Sequence, residues 1–238
     1  MDSDLSIVKR MKTGIAGLDK ITEGGIPLNH QIIVNGNSGS GKTLLSLEVL
    51  YHNAKLEIPS TFITTEEVAG NLIDNVASAF YEFEDFGDFI NAGTIQIVRE
   101  DVSEKFGSRE NFEKFISNIL DTVSKNNSKV LVFDSLSSLR TAFDDDRVYT
   151  RSTTYMTEVF RDAKLTSLIT MELENTEDVM QGGLYSTSMF DGIIMLKLKH
   201  EMGNSQYEIA VPKLRNSGHR ITSFPYQITS RGFDILIN

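Results

Sequence analysis

The 238-residue sequence has no cysteine, no tryptophan and only four prolines. Without cysteine there is no disulfide framework, no thiolate metal site and no thiol nucleophile. That absence fits a cytoplasmic setting. Four prolines leave little material for a linker, so the expectation is one domain over residues 1–238. Long hydrophobic runs are missing too. No apolar stretch reaches spanning length, and MDSDLSIVKRMKTG at the start lacks the apolar core of a signal peptide. No membrane partner is therefore expected. Positive charge is scarce, with 23 Lys and Arg against 33 Asp and Glu and a formal net charge of −10. A broad basic surface for duplex DNA is not expected from such a balance. No repeat or low-complexity tract is present.

Short apolar, β-branched runs alternate with helical patterns. QIIVNG (31–36) reads as a buried strand and TLLSLEVLYHNAKL (43–56) as a helix. A strand at 60–65, a helix at 66–83 and a strand at 94–100 follow. The stretch 108–126 reads as a helix with Ser108 as its cap. KVLVFDS (129–135) is a strongly apolar strand, 148–164 a helix and 165–171 a strand. This alternation predicts βαβ units and a mostly parallel twisted sheet flanked by helices, an α/β fold. After residue 190, four strand-like runs follow with no helix between them, which predicts an antiparallel extension. Pro212 favours an edge or strand-end position there.

GNSGSGKT (36–43) matches G-x-x-x-x-G-K-[ST] at every fixed position, after a strand and at a helix start. Gly36, Gly39 and Gly41 allow a tight turn and close approach to phosphate oxygens. The backbone from Asn37, Ser38, Gly39 and Ser40 to Gly41, with the first helical residues to Leu44, supplies N–H groups to an anion. Lys42 neutralises the β- and γ-phosphates, and Thr43 offers its hydroxyl to Mg²⁺. VLVFDS brings Asp134 to a strand's C-terminal end as the second magnesium group. FITTEEV (62–68) sets Glu66 and Glu67 just after a strand. There they suit water activation, but acids also suit a helix's first turn. Position alone does not choose between these roles.

KLRNSGH (213–219) gathers Lys213, Arg215 and His219 near the end of an acidic chain. In an extended strand Lys213 and Arg215 share a face. A cationic cluster at the far edge of the sheet cannot reach its own P-loop, but it can reach that of a neighbouring subunit.

These motifs together resemble the KaiC-type branch of the RecA-like ATPases, from TGIAGLDKITEGGIPLNHQIIVNGNSGSGKT (13–43) to PKLRNSGHRITSFPYQITSRGFDIL (212–236). The resemblance implies a RecA-like P-loop core binding ATP and Mg²⁺. It makes Glu66 the water-activating residue, with Glu67 in support, and puts Ser78 near the nucleotide. It implies that Lys213, Leu214, Arg215, Ser217 and His219 form a finger contacting the nucleotide of an adjacent subunit. Thr229 and Ser230 are the counterparts of residues near the adenine. Asn216 stands where the family has glycine, which predicts a stiffer or reshaped turn. Ser230 stands where the family has aspartate, which loosens the expectation of adenine selectivity. The two-domain clock members autophosphorylate on hydroxyls placed like Ser186, Thr187 and Ser188.

The expected function is a slowly hydrolysing, regulatory ATPase acting as a homo-oligomer, a hexameric ring, with its site completed in trans. One alternative is a RadA-like recombination paralogue binding single-stranded DNA. The segment TAFDDDRVYTRS (141–152), where RecA-like proteins carry DNA loops, is acidic at its centre, so nucleic acid is the disfavoured partner. Another alternative is a nucleotide-sensing scaffold for an unidentified motor or signalling protein.

Overall fold

The computed structural model describes residues 8–67, 69–102, 106, 108–172, 187–201 and 204–237. A short strand β1 (Arg10–Met11), helix α1 (Ala16–Ile21) and strand β2 (Ile26–Pro27) come first, with β1 and β2 paired antiparallel. The alternating region follows as β3 (Gln31–Gly36), α2 (Lys42–Ala54), β4 (Ser60–Thr64), α3 (Ala69–Ala79), α4 (Phe86–Asn91) and β5 (Ile95–Arg99). It continues through α5 (Arg109–Lys125), β6 (Val130–Asp134), α6 (Leu136–Thr141), α7 (Asp146–Asp162) and β7 (Thr166–Glu172). Strands β8 (Gly192–Glu201), β9 (Asn204–Leu214), β10 (Phe224–Thr229) and β11 (Gly232–Ile235) complete the chain.

Nine strands form one sheet in the order β11-β10-β9-β8-β3-β7-β6-β4-β5. From β8 to β5 the strands are parallel, while β9, β10 and β11 extend the sheet antiparallel. The expected α/β architecture is therefore present. Central strands are apolar on both faces, as parallel strands covered on both sides require. In β3, Ile32 and Val34 pack with α2 through Leu45 and Val49, whereas Ile33 packs in the opposite core with Met156 and Phe160 of α7. Helices α1 to α4 thus cover one face and α5 to α7 the other. Among the described residues no helix is long and apolar enough to cross a membrane.

Helix α5 buries Phe112, Phe115, Ile116, Ile119 and Val123, one stripe at helical spacing. Its Ser108 cap accepts from Asn111 N–H, a contact worth about 1 kcal/mol. The helix expected over 66–83 is shorter and ends at Ala79. At its start, Thr64 Oγ1 captures the N–H groups of Glu66 and Glu67 in a local turn. At its end, Phe83 and Phe86 bury themselves against Tyr51, Phe83 stacked on it at 3.9 Å, and Phe80 packs on Phe83. That aromatic packing overrides helical propensity. Helix α7 begins two residues earlier than expected. Its acidic start is a cap, with Asp145 Oδ1 accepting from Arg147 and Val148 N–H. Pro212 sits where the β8–β9 register shifts, past the last residue of β9 that pairs with β10. The bulge accommodates its missing N–H near the strand's end.

Candidate active site

Strand β3 ends at Gly36, and residues 37–41 turn into α2 at the C-terminal edge of the parallel strands. Ligands of open α/β sheets collect at this edge. The turn is fastened to β8 and to β10. Asn37 Nδ2 donates to Leu198 O, and Leu198 N–H donates to Asn37 Oδ1, both at 2.9 Å. Tyr226 OH donates to Ser40 O at 2.6 Å. A Cβ on Gly36 would lie 2.2 Å from the Leu196 carbonyl oxygen. Gly41 has φ 86°, and a Cβ there would lie 2.8 Å from Ile228 and 2.9 Å from Phe233. Glycine alone meets the demands of both positions. Ser38 and Gly39 are exposed, and Leu44 is half-buried on the first turn of α2.

A cavity of about 280 Å³ opens beside this turn and brings together Lys42, Thr43, Glu66, Glu67, Asp134 and Glu172. Lys42 Nζ donates to Gly36 O at 2.9 Å and Asn37 O at 3.1 Å. Burial lowers its pKa, against the opposing pull of the Glu172, Asp134 and Glu66 carboxylates. Thr43 Oγ1 donates to Asp134 Oδ2 at 2.9 Å, and the Thr170 hydroxyl donates to Oδ1. Burial pushes the Asp134 carboxyl up, the two hydroxyl bonds oppose this, and the Glu66 charge adds to the rise.

The two glutamates are held differently. Ser135 Oγ donates to Glu66 Oε1 at 2.5 Å. Glu67 Oε2 instead accepts from Asn75 Nδ2 of α3 at 3.0 Å. Glu66 is thus oriented by the residue after Asp134, while Glu67 is tied to α3. Sequence reasoning missed Ser135 and Glu172. Both carried a signal, because Ser135 follows Asp134 directly and Glu172 ends the strand beside β3. The rule that selected Asp134 selects Glu172 as well.

KLRNSGH lies at the opposite end of the sheet. Leu214 of β9 pairs with Gly192, which pairs with Ile32 near the start of β3, whereas Gly36 pairs with Leu196. Four residues of strand, about 13 Å, separate the two levels. Arg215 follows the end of β9, so the extended two-residue alternation expected for Lys213 and Arg215 stops at Leu214. Burial lowers the Lys213 pKa, the Arg215 charge lowers it further, and Asp191 opposes both. Arg215 Nη1 donates to Asp191 Oδ1 at 3.0 Å, and Nη2 donates to Ser188 O at 3.2 Å.

The turn after it docks on residues 22–25. Arg10 bridges Thr22 O, Gly25 O and Asn216 O. Ser217 Oγ donates to Thr22 O at 3.2 Å, and Gly218 N–H donates to Glu23 Oε2 at 2.9 Å. The EGG part of the opening motif therefore supports the far end of the sheet, not the P-loop. Asn216 adopts φ 57°, the left-handed region in which glycine is at ease and asparagine is tolerated. His219 is half-buried, with Nδ1 3.3 Å from Ser217 O.

Ser78 is exposed on α3 and does not line the 280 Å³ cavity. Thr229 Oγ1 donates to Gly232 O at 3.0 Å across the hairpin turn between β10 and β11, and Ser230 O accepts from Glu82 N–H at 3.4 Å, from the segment between α3 and α4. Phe233 N–H donates to the buried Glu48 carboxylate of α2, which fixes this hairpin against the P-loop helix. Of the three candidate hydroxyls before β8, Ser186 lies outside the described residues. Thr187 and Ser188 fall in a 3₁₀ turn, Thr187–Met189.

The P-loop residues fit a nucleoside triphosphate. Lys42 Nζ, with only carbonyl oxygens as partners in the described bonds, is placed for phosphate oxygens. Among the described residues no group of three or more His, Asp or Glu side chains is arranged to hold a metal ion by itself. Thr43 and Asp134 instead offer the sparse protein donor set that magnesium uses when phosphates supply further ligands.

A family described as "ATPase: KaiC" matches residues 11–238. The circadian clock oscillator protein KaiC of Picosynechococcus sp. is 27% identical over 230 residues, which is 96% of this chain and 44% of that protein. The chain thus spans less than half the length of such clock relatives. UPF0273 protein PH0284 of Pyrococcus horikoshii is 27% identical over 234 residues, covering 95% of this chain and 93% of that one. A crystal structure of a KaiC-like protein, PH0186, also from Pyrococcus horikoshii, superposes with a TM-score of 0.82 at 25% identity, covering 97% of this chain and all of that one. P-loop, sheet order and antiparallel extension agree with these matches, and the chain belongs to the KaiC family of RecA-like P-loop ATPases.

Proposed function

We propose that residues 1–238 act as one ATPase unit that binds Mg-ATP and hydrolyses it slowly within a homo-oligomeric ring, each site being completed by the neighbour's Lys213 and Arg215. The carrying observation is that Glu66 and Arg215 lie at opposite ends of one sheet. One copy therefore cannot bring both to the same phosphate. Head-to-tail packing joins them, and a rotation that closes gives a ring, here taken as six subunits.

Residues 37–44 cradle the phosphates through backbone N–H groups, and Lys42 turns from Gly36 O and Asn37 O to the β- and γ-oxygens. Bound magnesium, held by Thr43 and Asp134, would neutralise charge on those oxygens. Glu66, oriented by Ser135, accepts the proton of the attacking water. Glu67 supports this edge through Asn75. The neighbour's Arg215 and Lys213 stabilise the charge that develops on the γ-phosphoryl oxygens. Leu214, Ser217 and His219 shape that finger, while Ser78, Thr229 and Ser230 are the candidate contacts around the remainder of the nucleotide. A regulatory role follows from turnover that depends on assembly.

The test is molecular mass by light scattering with and without Mg-ATP, with the hydrolysis rate followed in the same samples. The expected result is a ring whose formation and rate rise together. A monomer that hydrolyses ATP at the same rate at every concentration would refute the shared site. A monomer that binds ATP without hydrolysis would transfer the function to a nucleotide-sensing scaffold.

A further inference from the structure

Asp191 joins three strand ends at the far side of the sheet. Its N–H donates to Gln31 O at 2.8 Å, and its carbonyl accepts Arg215 N–H at 2.8 Å. Its carboxylate spans three donors. Oδ2 accepts Gln31 N–H and Arg161 Nη2, each at 3.0 Å, and Oδ1 accepts Arg215 Nη1, also at 3.0 Å. The Asp191 side chain is 8% exposed, while that of Arg215 is 50% exposed. A buried, fully bonded carboxylate thus grips one corner of a half-exposed guanidinium. Ser188 O holds a second corner. Guanidinium has five N–H donors in a planar fork, so fixing both terminal nitrogens from one side fixes the direction of the outer edge.

Resting on the trans-finger reading above, we propose that Asp191 is the positioning residue of the finger. It holds the Arg215 guanidinium in the orientation in which the neighbour's γ-phosphate meets it, and Arg161 keeps the carboxylate itself from rotating. The reason lies in the sequence of the finger. Arg215 stands beyond the end of β9, next to Asn216 in a left-handed turn, with half of its side chain exposed. A flexible arginine there would lose much side-chain freedom on meeting a phosphate. Pre-orientation by Asp191 removes that loss before the neighbour arrives, and misplacement by about 1 Å can cost about 10²-fold in rate. Burial pushes the Asp191 carboxyl up, but the Gln31 N–H, the Arg161 bond and charge and the His30 charge more than offset it and hold it below the ordinary aspartate range. The carboxylate therefore stays charged at neutral pH.

Subunit mixing tests the proposal. Asp191→Asn subunits should assemble with Mg-ATP and keep the KM for ATP, with kcat lowered roughly 10- to 100-fold. An excess of Glu66→Gln subunits, which carry an intact finger, should restore hydrolysis at the Asp191→Asn P-loops. An excess of Arg215→Ala subunits should not. Wild-type kcat for assembled Asp191→Asn, or a low rate that Glu66→Gln subunits fail to restore, overturns the proposal. Failure of Glu66→Gln subunits to restore Arg215→Ala subunits is a different result. It refutes the trans finger itself and leaves Asp191 nothing to position. If Asp191→Asn does not fold, Arg161→Gln, at a half-buried position, carries the same mixing test. An assembled Arg161→Gln protein with unchanged kcat then overturns the proposal.

Discussion

The two ends of the central sheet differ in charge, in backbone and in what holds them. At the C-terminal ends of β3, β4, β6 and β7, Glu66, Glu67, Asp134 and Glu172 surround Lys42. At the other end, Arg10, Arg161, Lys213 and Arg215 gather around Asp191 and the Asn216 turn. Around the cavity the first end is mainly acidic, with Lys42 facing main-chain oxygens. The second is basic, with a single buried carboxylate that faces two guanidiniums. Among these side chains the two ends thus carry excesses of opposite sign. A net charge of −10 hides this polarity, because it sums over both ends. Two copies stacked head to tail would bring an acidic edge against a basic one, an arrangement that steers association and fixes register. Like edges would repel.

The sharpest way to break this complementarity is at the basic end. Arg215→Ala should lower kcat by about 10³- to 10⁵-fold, the range over which trans arginine fingers act. ATP binding should persist, because no P-loop group is touched. Normal hydrolysis by the assembled variant would sink the reading. Breaking the acidic end comes next. Glu66→Gln keeps the Ser135 contact but removes the proton acceptor, with an expected loss of about 10²- to 10⁴-fold. Glu67→Gln should cost much less, since its carboxylate is committed to Asn75. Equal losses at the two positions would show that the Ser135 bond does not select the base.

The two ends were unequally legible in the sequence. The acidic end is encoded in contiguous motifs whose chemistry demands fixed spacing, so its P-loop, Asp134 and glutamate pair could be picked out from residues alone. The basic end is assembled from fragments some 200 positions apart, as in the Arg10 to Asn216 O bond. Lys213 and Arg215 are visible in KLRNSGH, but nothing local marks Arg10, Arg161 or Asp191 as their neighbours. Nothing local says that a strand's leading residue will meet the end of a strand 24 positions later. The same limit explains α3. Glu66 and Glu67 sit in good helical sequence, and only the Thr64 hydroxyl and the distant Tyr51 ring pull the chain away from a helix over 66–83.

The P-loop's fastening to β8 offers a third, smaller test. Gly36→Ala drives a methyl to 2.2 Å from a main-chain oxygen that no rotamer change can move. Overpacking of this kind costs about 1–3 kcal/mol. Thermal unfolding should show the loss, and ATP binding should weaken in parallel because the strained atom belongs to the phosphate turn. A variant as stable as the parent would mean that β8 can slide away, and that the P-loop is not held by it.

The smallest effect tests whether the acidic end is strained without its ligand. Burial raises the Asp134 pKa on folding. A carboxyl raised on folding contributes stability that is fully present below its unfolded pKa and is lost as pH rises through its folded pKa. At neutral pH, above the unfolded carboxyl's pKa, the nucleotide-free protein therefore bears a cost for burying Asp134. Asp134→Asn removes that cost while keeping an oxygen for Thr43 or Thr170. Its nucleotide-free melting temperature should lie slightly above that of the parent near pH 7, and the gap should close as pH falls into the ordinary carboxylate range. Mg-ATP should reverse the order, because the parent gains a ligand for its charge and the variant does not. A variant that melts lower than the parent at neutral pH without nucleotide would show that Asp134 is a structural ion already balanced by Lys42. The acidic edge would then need no phosphate or neighbour to complete it.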